Sequence, residues 1–440
     1  MKYKYHIITY GCQMNKNDSE RMEAVFFDMG MKKAKDEYDA DIIIINSCSV
    51  RESAELRVYS KINNLKKVKE KKPDLIIAIS GCMVGRDHDK KIRKKMLGVD
   101  LFFSNDEMVY LSRLLHNLNP KLIELGDYKG NYLSILPETK NKFQAFVSIQ
   151  TGCDQFCTYC VVPYARGREV NRPVKEILSE SRDLVKNGTI QITLLGQIVN
   201  HYIAPDPENF SQNNPYQKND FAKLLWELNQ IVGLGRIHFT APHPAYVDDE
   251  MIDALTLPKQ IRFLHLPVQS GSNEILQKMN RKHDRKFFID IIKKIKEKNP
   301  DMAIGTDIIV GFCSENKKDF ADTVDLYRQC EFDISYTAQY SDRTGTVAHK
   351  NLVDGVNREE KKSRWQELQK LMESITYKKN KKLKNTLNEV LVEKYEKGYC
   401  FGQSNNMKLT KFPSKKDLTG QLIKVKIIEP KLWILEAKMI

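Results

Sequence analysis

Three cysteines, Cys153, Cys157 and Cys160, fall within eight residues in the stretch IQTGCDQFCTYCVVPYARGREVNRP, a C-x3-C-x2-C spacing. Three thiolates on a short loop that opens after an apolar run can converge on one small inorganic centre. A structural zinc site takes four protein ligands and is closed. Here the next cysteine along the chain is Cys313 and the next histidine is His201. Three ligands on a four-iron, four-sulfur cube leave one iron open to bind another molecule. A zinc knuckle short of one ligand, or chance clustering, is the bland alternative.

A second set is spread out. Cys12, Cys48 and Cys82 each follow a short apolar run, and Gly11 and Gly81 precede two of them. Taken singly, each reads as a small buried hydrophobe. Three at equivalent strand ends are harder to dismiss, because parallel strands bring their carboxyl ends to one edge, where ligands bind. Glycine there lets the backbone pass close to a bulky group. The residues alone leave a second metal centre and three buried thiols both open.

These sites need elements to hold them. Apolar runs at Tyr5–Thr9, Asp41–Asn46, Leu75–Ile79 and Asp100–Phe103 alternate with helical periodicity at Ser19–Met29, Ala54–Lys71, Lys90–Leu97 and Glu107–Leu115. That alternation predicts an open parallel α/β sheet over residues 1–118. Residues 119–142 lose periodicity and read as a linker, with room for a hairpin. Residues 143–375 open a second series. Its candidate strands are Phe146–Gln150, Gln191–Leu195, Arg236–Thr240, Phe263–Leu266, Ala303–Val310 and Ile334–Ala338, and its helices include Val174–Asn187, Phe221–Ile231, Arg285–Asn299 and Lys317–Gln329. Six such units make a partial (β/α)6 barrel, with the cysteine loop at the C-terminal face of the first strand. His201 to Asp220 is rich in Asn and Pro and reads as a mobile loop over the site. A charged helix, Arg358 to Lys384, leads to five short strand-like runs in residues 376–440, a small β-barrel. That tail carries 15 Lys, no Arg and 6 acidic residues, a grip for phosphates or else a solvated face.

C-x3-C-x2-C with Tyr159 before the last cysteine resembles the signature of radical S-adenosylmethionine (SAM) enzymes. The continuation Val161-Val162-Pro163-Tyr164-Ala165-Arg166-Gly167-Arg168-Glu169 is similar to that of the methylthiotransferases, within them the branch acting on isopentenyladenosine in tRNA. Tyr10-Gly11-Cys12-Gln13-Met14-Asn15, Asn46-Ser47-Cys48-Ser49-Val50-Arg51 and Ser80-Gly81-Cys82 resemble that family's other three cysteine motifs. Relatives that modify a ribosomal protein read Gly-Cys-Pro-Lys-Asn at the first motif, so Gln13-Met14 favours tRNA. The resemblance implies two 4Fe-4S clusters, one on Cys153, Cys157 and Cys160 that binds and splits SAM, and an auxiliary one on Cys12, Cys48 and Cys82. It implies SAM contacts from Gln197, Gln269, Ser270 and Glu315, and a TRAM-like RNA-binding tail. It implies methylthiolation of C2 of N6-isopentenyl (dimethylallyl) adenosine at tRNA position 37, in the anticodon loop, with SAM as radical source and methyl donor. An electron donor such as flavodoxin or ferredoxin and a sulfur source would serve as partners. Threonylcarbamoyl-adenosine in tRNA is the substrate of a neighbouring branch, and a non-catalytic iron–sulfur RNA-binding protein is the other alternative. Two departures stand out: the family has Asn at Ile198 and Pro-Gly at Cys313-Ser314. Arg166 and Arg168 offer guanidinium forks to a carboxylate or phosphate, or form a solvated basic loop.

The rest of the composition agrees. A chain of 440 residues is too long for one core. A formal charge of +14 suggests a polyanionic partner. No 18-residue apolar stretch and no signal-peptide core is present, so the expectation is a cytoplasmic protein without membrane contact. Nine cysteines in a reducing compartment point to metal or redox chemistry before disulfides.

Overall fold

Four isoleucines in a row, Ile42 to Ile45, are all buried, as befits a central parallel strand covered on both faces. The computed structural model describes residues 3–49, 52–139 and 141–440. The chain forms two units. The first takes in Met1–Lys140, Phe146–Phe156 and Cys160–Arg172, and the second Asn141–Ala145, Cys157–Tyr159 and Pro173–Ile440.

In the first unit, β1 (Lys4–Thr9), β2 (Lys32–Lys33), β3 (Ile42–Ser47), β4 (Ile76–Gly81) and β5 (Leu101–Phe102) form one parallel sheet in the order β2-β1-β3-β4-β5. Alternation along the strands divides the core. Ile42, Ile44, Ile76 and Ala78 pack with Met22 and Phe26 of α1 (Gln13–Asp28), while Ile43, Ile45, Ile77 and Ile79 pack with Val58, Ile62 and Leu65 of α2 (Glu52–Lys71). The helix expected from Ser19 starts instead at Gln13, because its first turns bury Asn15, Asn17 and Asp18 and show no apolar stripe. The helix expected over Lys90–Leu97 is only a turn at Arg93–Lys95, since its lysines have no core to face. Short α3 (Cys82–Gly85) follows β4, and α4 (Leu111–Leu118) closes the series. No strand, and so no hairpin, falls among the described residues of 119–139. That stretch, read above as a linker, adds Leu122, Tyr132, Leu133 and Ile135 to the core. Val50 and Arg51 of the second cysteine motif lie outside the described residues.

β6 (Gln144–Ser148) opens the second series. The cysteine loop follows, between β7 (Gln150–Thr151) and β8 (Val170–Asn171), which pair antiparallel, and it contains α5 (Val162–Arg166). Helix α6 (Val174–Lys186) leads to β9 (Gln191–Leu195), whose entry is fixed where Ile190 and Gln191 donate to the Phe143 carbonyl. Then come α7 (Asp220–Asn229), β10 (Arg236–Phe239), α8 (Asp249–Ala254), β11 (Phe263–His265), α9 (Asn273–Lys278), α10 (Arg285–Lys298), β12 (Ala303–Val310), α11 (Lys317–Cys330), β13 (Ile334–Gln339) and α12 (Val347–Asn351). Pairing is parallel between β9 and β10, β11 and β12, and β12 and β13, and a bridge at Ile237 and Gln260 links the halves. The result is the partial (β/α)6 architecture. Residues 201–220 are pinned rather than loose: Ser211 and Asn214 bond Glu227, and Tyr216 bonds Asp253.

Helix α13 (Arg358–Lys381) leads to β14 (Leu387–Glu396), β15 (Tyr399–Ser404), β16 (Leu409–Pro413), β17 (Leu422–Pro430) and β18 (Leu435–Met439), a closed barrel in the order β14-β15-β16-β18-β17. Its wall needs Gly402, where a Cβ would sit 1.9 Å from the Leu391 carbonyl oxygen. This barrel docks on the N-terminal ends of the larger barrel's strands. Arg262, just before β11, donates its N–H to Asn405 at 2.8 Å, and Asn406 Nδ2 reaches the Asp301 carbonyl at 2.9 Å. Asp333, just before β13, pairs with Lys379 at 2.6 Å and Lys408 at 3.2 Å. Among the described residues no helix is long and apolar enough to cross a membrane.

Candidate functional site

Parallel register brings the separated cysteines to one edge. Ser47 lies opposite Gly81, so Cys48 and Cys82 leave adjacent strands at the same level, and Thr9 lies opposite Asn46 on the other side. Cys12 follows β1 and caps α1. Buried Asn15 ties these ends together, donating to Asn46 Oδ1 at 3.1 Å and to the Ser47 carbonyl at 3.2 Å. Its own oxygen accepts from the Cys12 N–H at 3.3 Å and the thiol at 3.4 Å. Asn46 returns a bond to the Asn15 carbonyl at 2.8 Å. Gly81 adopts φ +89°, and a Cβ there would meet the Ser47 oxygen at 2.3 Å, so only glycine turns the chain here. Cys48 and Cys82 are buried, whereas Cys12 is exposed. Burial pushes the Cys82 thiol up, against the pull of the Arg166 guanidinium beside it.

Arg166 is not the free fork the sequence suggested. Its side chain is 2% exposed and paired with Asp18, itself 1% exposed, at 2.5 Å. A third contact runs to the Tyr132 hydroxyl at 3.3 Å. Arg168 does point outward, stacking over the Phe156 ring and reaching Asp154 at 3.3 Å.

The cysteine loop is cinched at its base. The Cys153 N–H donates to Gly167 at 3.1 Å, and a Cβ on Gly152, at φ +73°, would lie 1.8 Å from the Arg168 oxygen. Cys153 is buried and Cys160 part-exposed, its Sγ accepting from the Val162 N–H at 3.4 Å. Cys157 belongs to the second unit, where Arg281 Nη1 lies 3.6 Å from its Sγ and Nη2 bonds the Pro267 carbonyl. Thr158 is held there by Met279, Lys278 and Ala348. By its chemistry the donor set, three thiolates in one eight-residue run with an N–H group aimed at the sulfur of Cys160 in one unit and of Cys157 in the other, suits iron–sulfur ligation. Among the described residues no three His, Cys, Asp or Glu groups stand close enough to share one ion, which a cube with each thiolate on a different iron does not require.

The expected SAM contacts are distributed along the C-terminal edge of the strands. Gln197 is half-buried just after β9. Gln269 follows β11 at φ +72°, a left-handed conformation costly for this residue, held by its N–H to Asp307 and its carbonyl to Ile309. Ser270 is fully buried; its Oγ faces Thr323 and accepts from the Ser272 N–H. Glu315 is also buried, with Oε2 accepting from Gly311 N and from Arg364 at 2.6 Å, while Oε1 has no protein partner. The departures leave the path intact. Ser314 takes φ +64°, the conformation a glycine would adopt freely, and Cys313 packs with Phe312, Tyr340 and Met279. Ile198 is buried in the turn after Gln197.

The sequence reading quoted Asn15 only within its motif and gave no role to Asp18, Arg281, His243 or His283. The Cys12–Asn15 spacing is that of a helix cap and could have been noticed. His243 and His283 stack edge-on at 5.7 Å in the interior, with burial holding them neutral at about 2 and about 3. No local pattern announced them.

Residues 4–104 match the model of a family described as uncharacterized protein family UPF0004, and residues 147–327 match that of the radical SAM superfamily. The chain is 39% identical to the tRNA-2-methylthio-N(6)-dimethylallyladenosine synthase of Thermoanaerobacter sp. (strain X514), over 99% of this chain and 92% of the relative. The enzymes of the same name from Carboxydothermus hydrogenoformans and Bacillus pumilus are 39% and 40% identical, with 99% and 86% of their lengths covered. Among solved structures, the radical SAM methyltransferase TsrM from Kitasatospora setae matches at a TM-score of 0.55 and 11% identity, over 77% of this chain and 73% of that one. The cobalamin-dependent radical enzyme OxsB matches at 0.53 and 12%, over 82% and 56%. At these identities the likeness is one of fold.

Proposed function

This chain belongs to the tRNA-2-methylthio-N6-dimethylallyladenosine synthases, radical SAM methylthiotransferases, and from that premise we propose how its residues carry the reaction. The enzyme methylthiolates C2 of N6-isopentenyladenosine at position 37 of tRNA. Two clusters would divide the work: one held by Cys153, Cys157 and Cys160 would supply the electron that splits SAM into a radical able to attack an unactivated C–H bond, and one held by Cys12, Cys48 and Cys82 would supply the sulfur, whose methyl group comes from a second SAM. The observation that supports this most is the register of β3 and β4, which delivers cysteines 34 positions apart to one edge.

The chain's own residues do the positioning. Asn15 fixes Cys12 against β3, Arg281 and the Val162 N–H steady Cys157 and Cys160, and Gln197, Gln269, Ser270 and Glu315 frame SAM at the strand ends. The base is turned out of its stack to expose C2. The basic tail is a TRAM-like domain that grips RNA phosphates. A small reducing protein such as flavodoxin or ferredoxin and a sulfur donor complete the cycle, in the cytoplasm. Nucleoside mass spectrometry of tRNA from a strain lacking this gene tests the reading. The methylthio nucleoside should vanish, with N6-isopentenyladenosine accumulating in its place, and an unchanged nucleoside profile would refute it.

A further inference from the structure

The first unit holds a buried polar network that neither cysteine site requires for ligation. Arg166 lies six residues beyond Cys160, yet its guanidinium is spent on partners outside its own loop. It pairs with Asp18 on α1 and bonds the Tyr132 hydroxyl, and its charge pulls the Cys82 thiol down against the push of burial. Asp18 is steadied in turn by Asn105 Nδ2 at 3.1 Å, and the Tyr132 hydroxyl donates to Thr151 at 2.8 Å, at the mouth of the cysteine loop. The backbones carrying Arg166 and Cys82 are in direct contact: a Cβ on Gly85 of α3 would fall 2.1 Å from the Ala165 oxygen of α5. The helix after one cysteine motif is thus fitted against the helix that begins with another.

We infer that Arg166 is a positioning residue for the auxiliary cluster, donating N–H to the Cys82 sulfur while Asp18 holds its fork in place. The inference rests on the reading that Cys12, Cys48 and Cys82 bind a cluster. A guanidinium N–H on a ligating sulfur withdraws charge from it and raises the reduction potential of the group it holds. Asp18 prevents the fork from turning away and balances a charge that would otherwise be buried alone.

The test uses full-length protein with Cys153, Cys157 and Cys160 replaced by Ala, reconstituted anaerobically so that only the auxiliary site can carry iron. Failure to bind about four irons would refute the cluster reading itself. With iron bound, Arg166→Gln should shift the potential in an EPR-monitored titration to more negative values, with Arg166→Lys falling between. An unchanged potential in a variant that retains its iron would overturn the inference, whatever happened to its stability. A readout without an arginine variant covers the case where both lose their fold. Protein grown with guanidino-15N arginine should show 15N hyperfine coupling to the reduced cluster, and its absence would overturn the inference equally. In the enzyme with all six ligands, Arg166→Gln should lower methylthio product at least tenfold more than 5′-deoxyadenosine, whereas equal losses of both would count against it.

Discussion

Arg236, the first residue of β10, donates to the carbonyl of Ser404 in the tail barrel at 3.1 Å, and its other terminal nitrogen reaches Gln403 at 2.9 Å. The arginine is 2% exposed, and burial lowers its pKa to about 10. The tail is therefore part of the large barrel's floor. Arg236→Gln should cost roughly 2 to 3 kcal/mol, the range for losing bonds to a buried charged donor. Denaturant melting checks the cost, and limited proteolysis should show the tail released first.

A cleaner probe of RNA binding leaves that dock alone. Lys397, Lys415 and Lys416 are exposed on neighbouring turns, joined where Ser414 N–H meets Gly398, at the end of the small barrel away from the docked turn. Changing all three to Glu should weaken tRNA binding and reduce the log–log salt slope by about 2 to 3, at roughly 0.7 to 0.9 per phosphate contact. Melting should be unchanged. Filter binding over a salt series decides between a phosphate grip and a solvated face.

The two cysteine triads should separate in function. Wild type should take up about eight irons, and Cys153, Cys157 and Cys160 changed together to Ala should leave about half and abolish SAM cleavage. Cys12, Cys48 and Cys82 changed together should spare 5′-deoxyadenosine formation while eliminating the methylthio product. Product at the wild-type rate in that variant would sink the division of labour.

Ser314 is exposed at φ +64°, in the left-handed region that favours glycine. Ser314→Gly should therefore stabilise the protein by about 0.5 to 1 kcal/mol, since relief of the left-handed strain outweighs the extra freedom of glycine in the unfolded chain. Urea midpoints of the apo-proteins measure it.

His238 is buried beside Arg236, and burial drops its pKa from 6.5 to about 3. Well above pH 6.5 the imidazole is neutral in both states and stability is complete. Below that, the unfolded chain binds a proton that the folded chain refuses until about pH 3, so stability falls with pH. The loss from this residue is about 1 kcal/mol between pH 6.5 and 5.5. His238→Gln should flatten the urea midpoint against pH by that amount over the same interval.

Much of this was legible because its signals are local. The isoleucine runs announce buried strands, and the C-x3-C-x2-C run falls in the loop after the strand read ahead of it. The five tail strands also fall where short β-rich runs placed them. What escaped depends on distant partners. Asp18 and Arg166 stand 148 positions apart, so neither marks the other. Polar residues hide the first turns of α1, because Asn15 and Asp18 are buried for their bonds and not for their hydrophobicity. The stretch 119–135 buries Leu122, Tyr132, Leu133 and Ile135 at spacings that match neither a helix nor a strand, so it read as a linker.

The docking of the tail against the strand beginnings sets a minimum size for any molecule that engages both ends. Gln197 and Gln269 lie past the strands' C-terminal ends, while the tail touches Arg236, Arg262, Asp301 and Asp333 at their starts. The eight residues of β12 alone separate those edges by about 26 Å. The fold is thus a ruler. A free nucleoside or a short oligonucleotide is measured only at one mark, and turnover of such fragments should be indifferent to the lysines of the tail. A folded stem and loop is long enough to reach both marks.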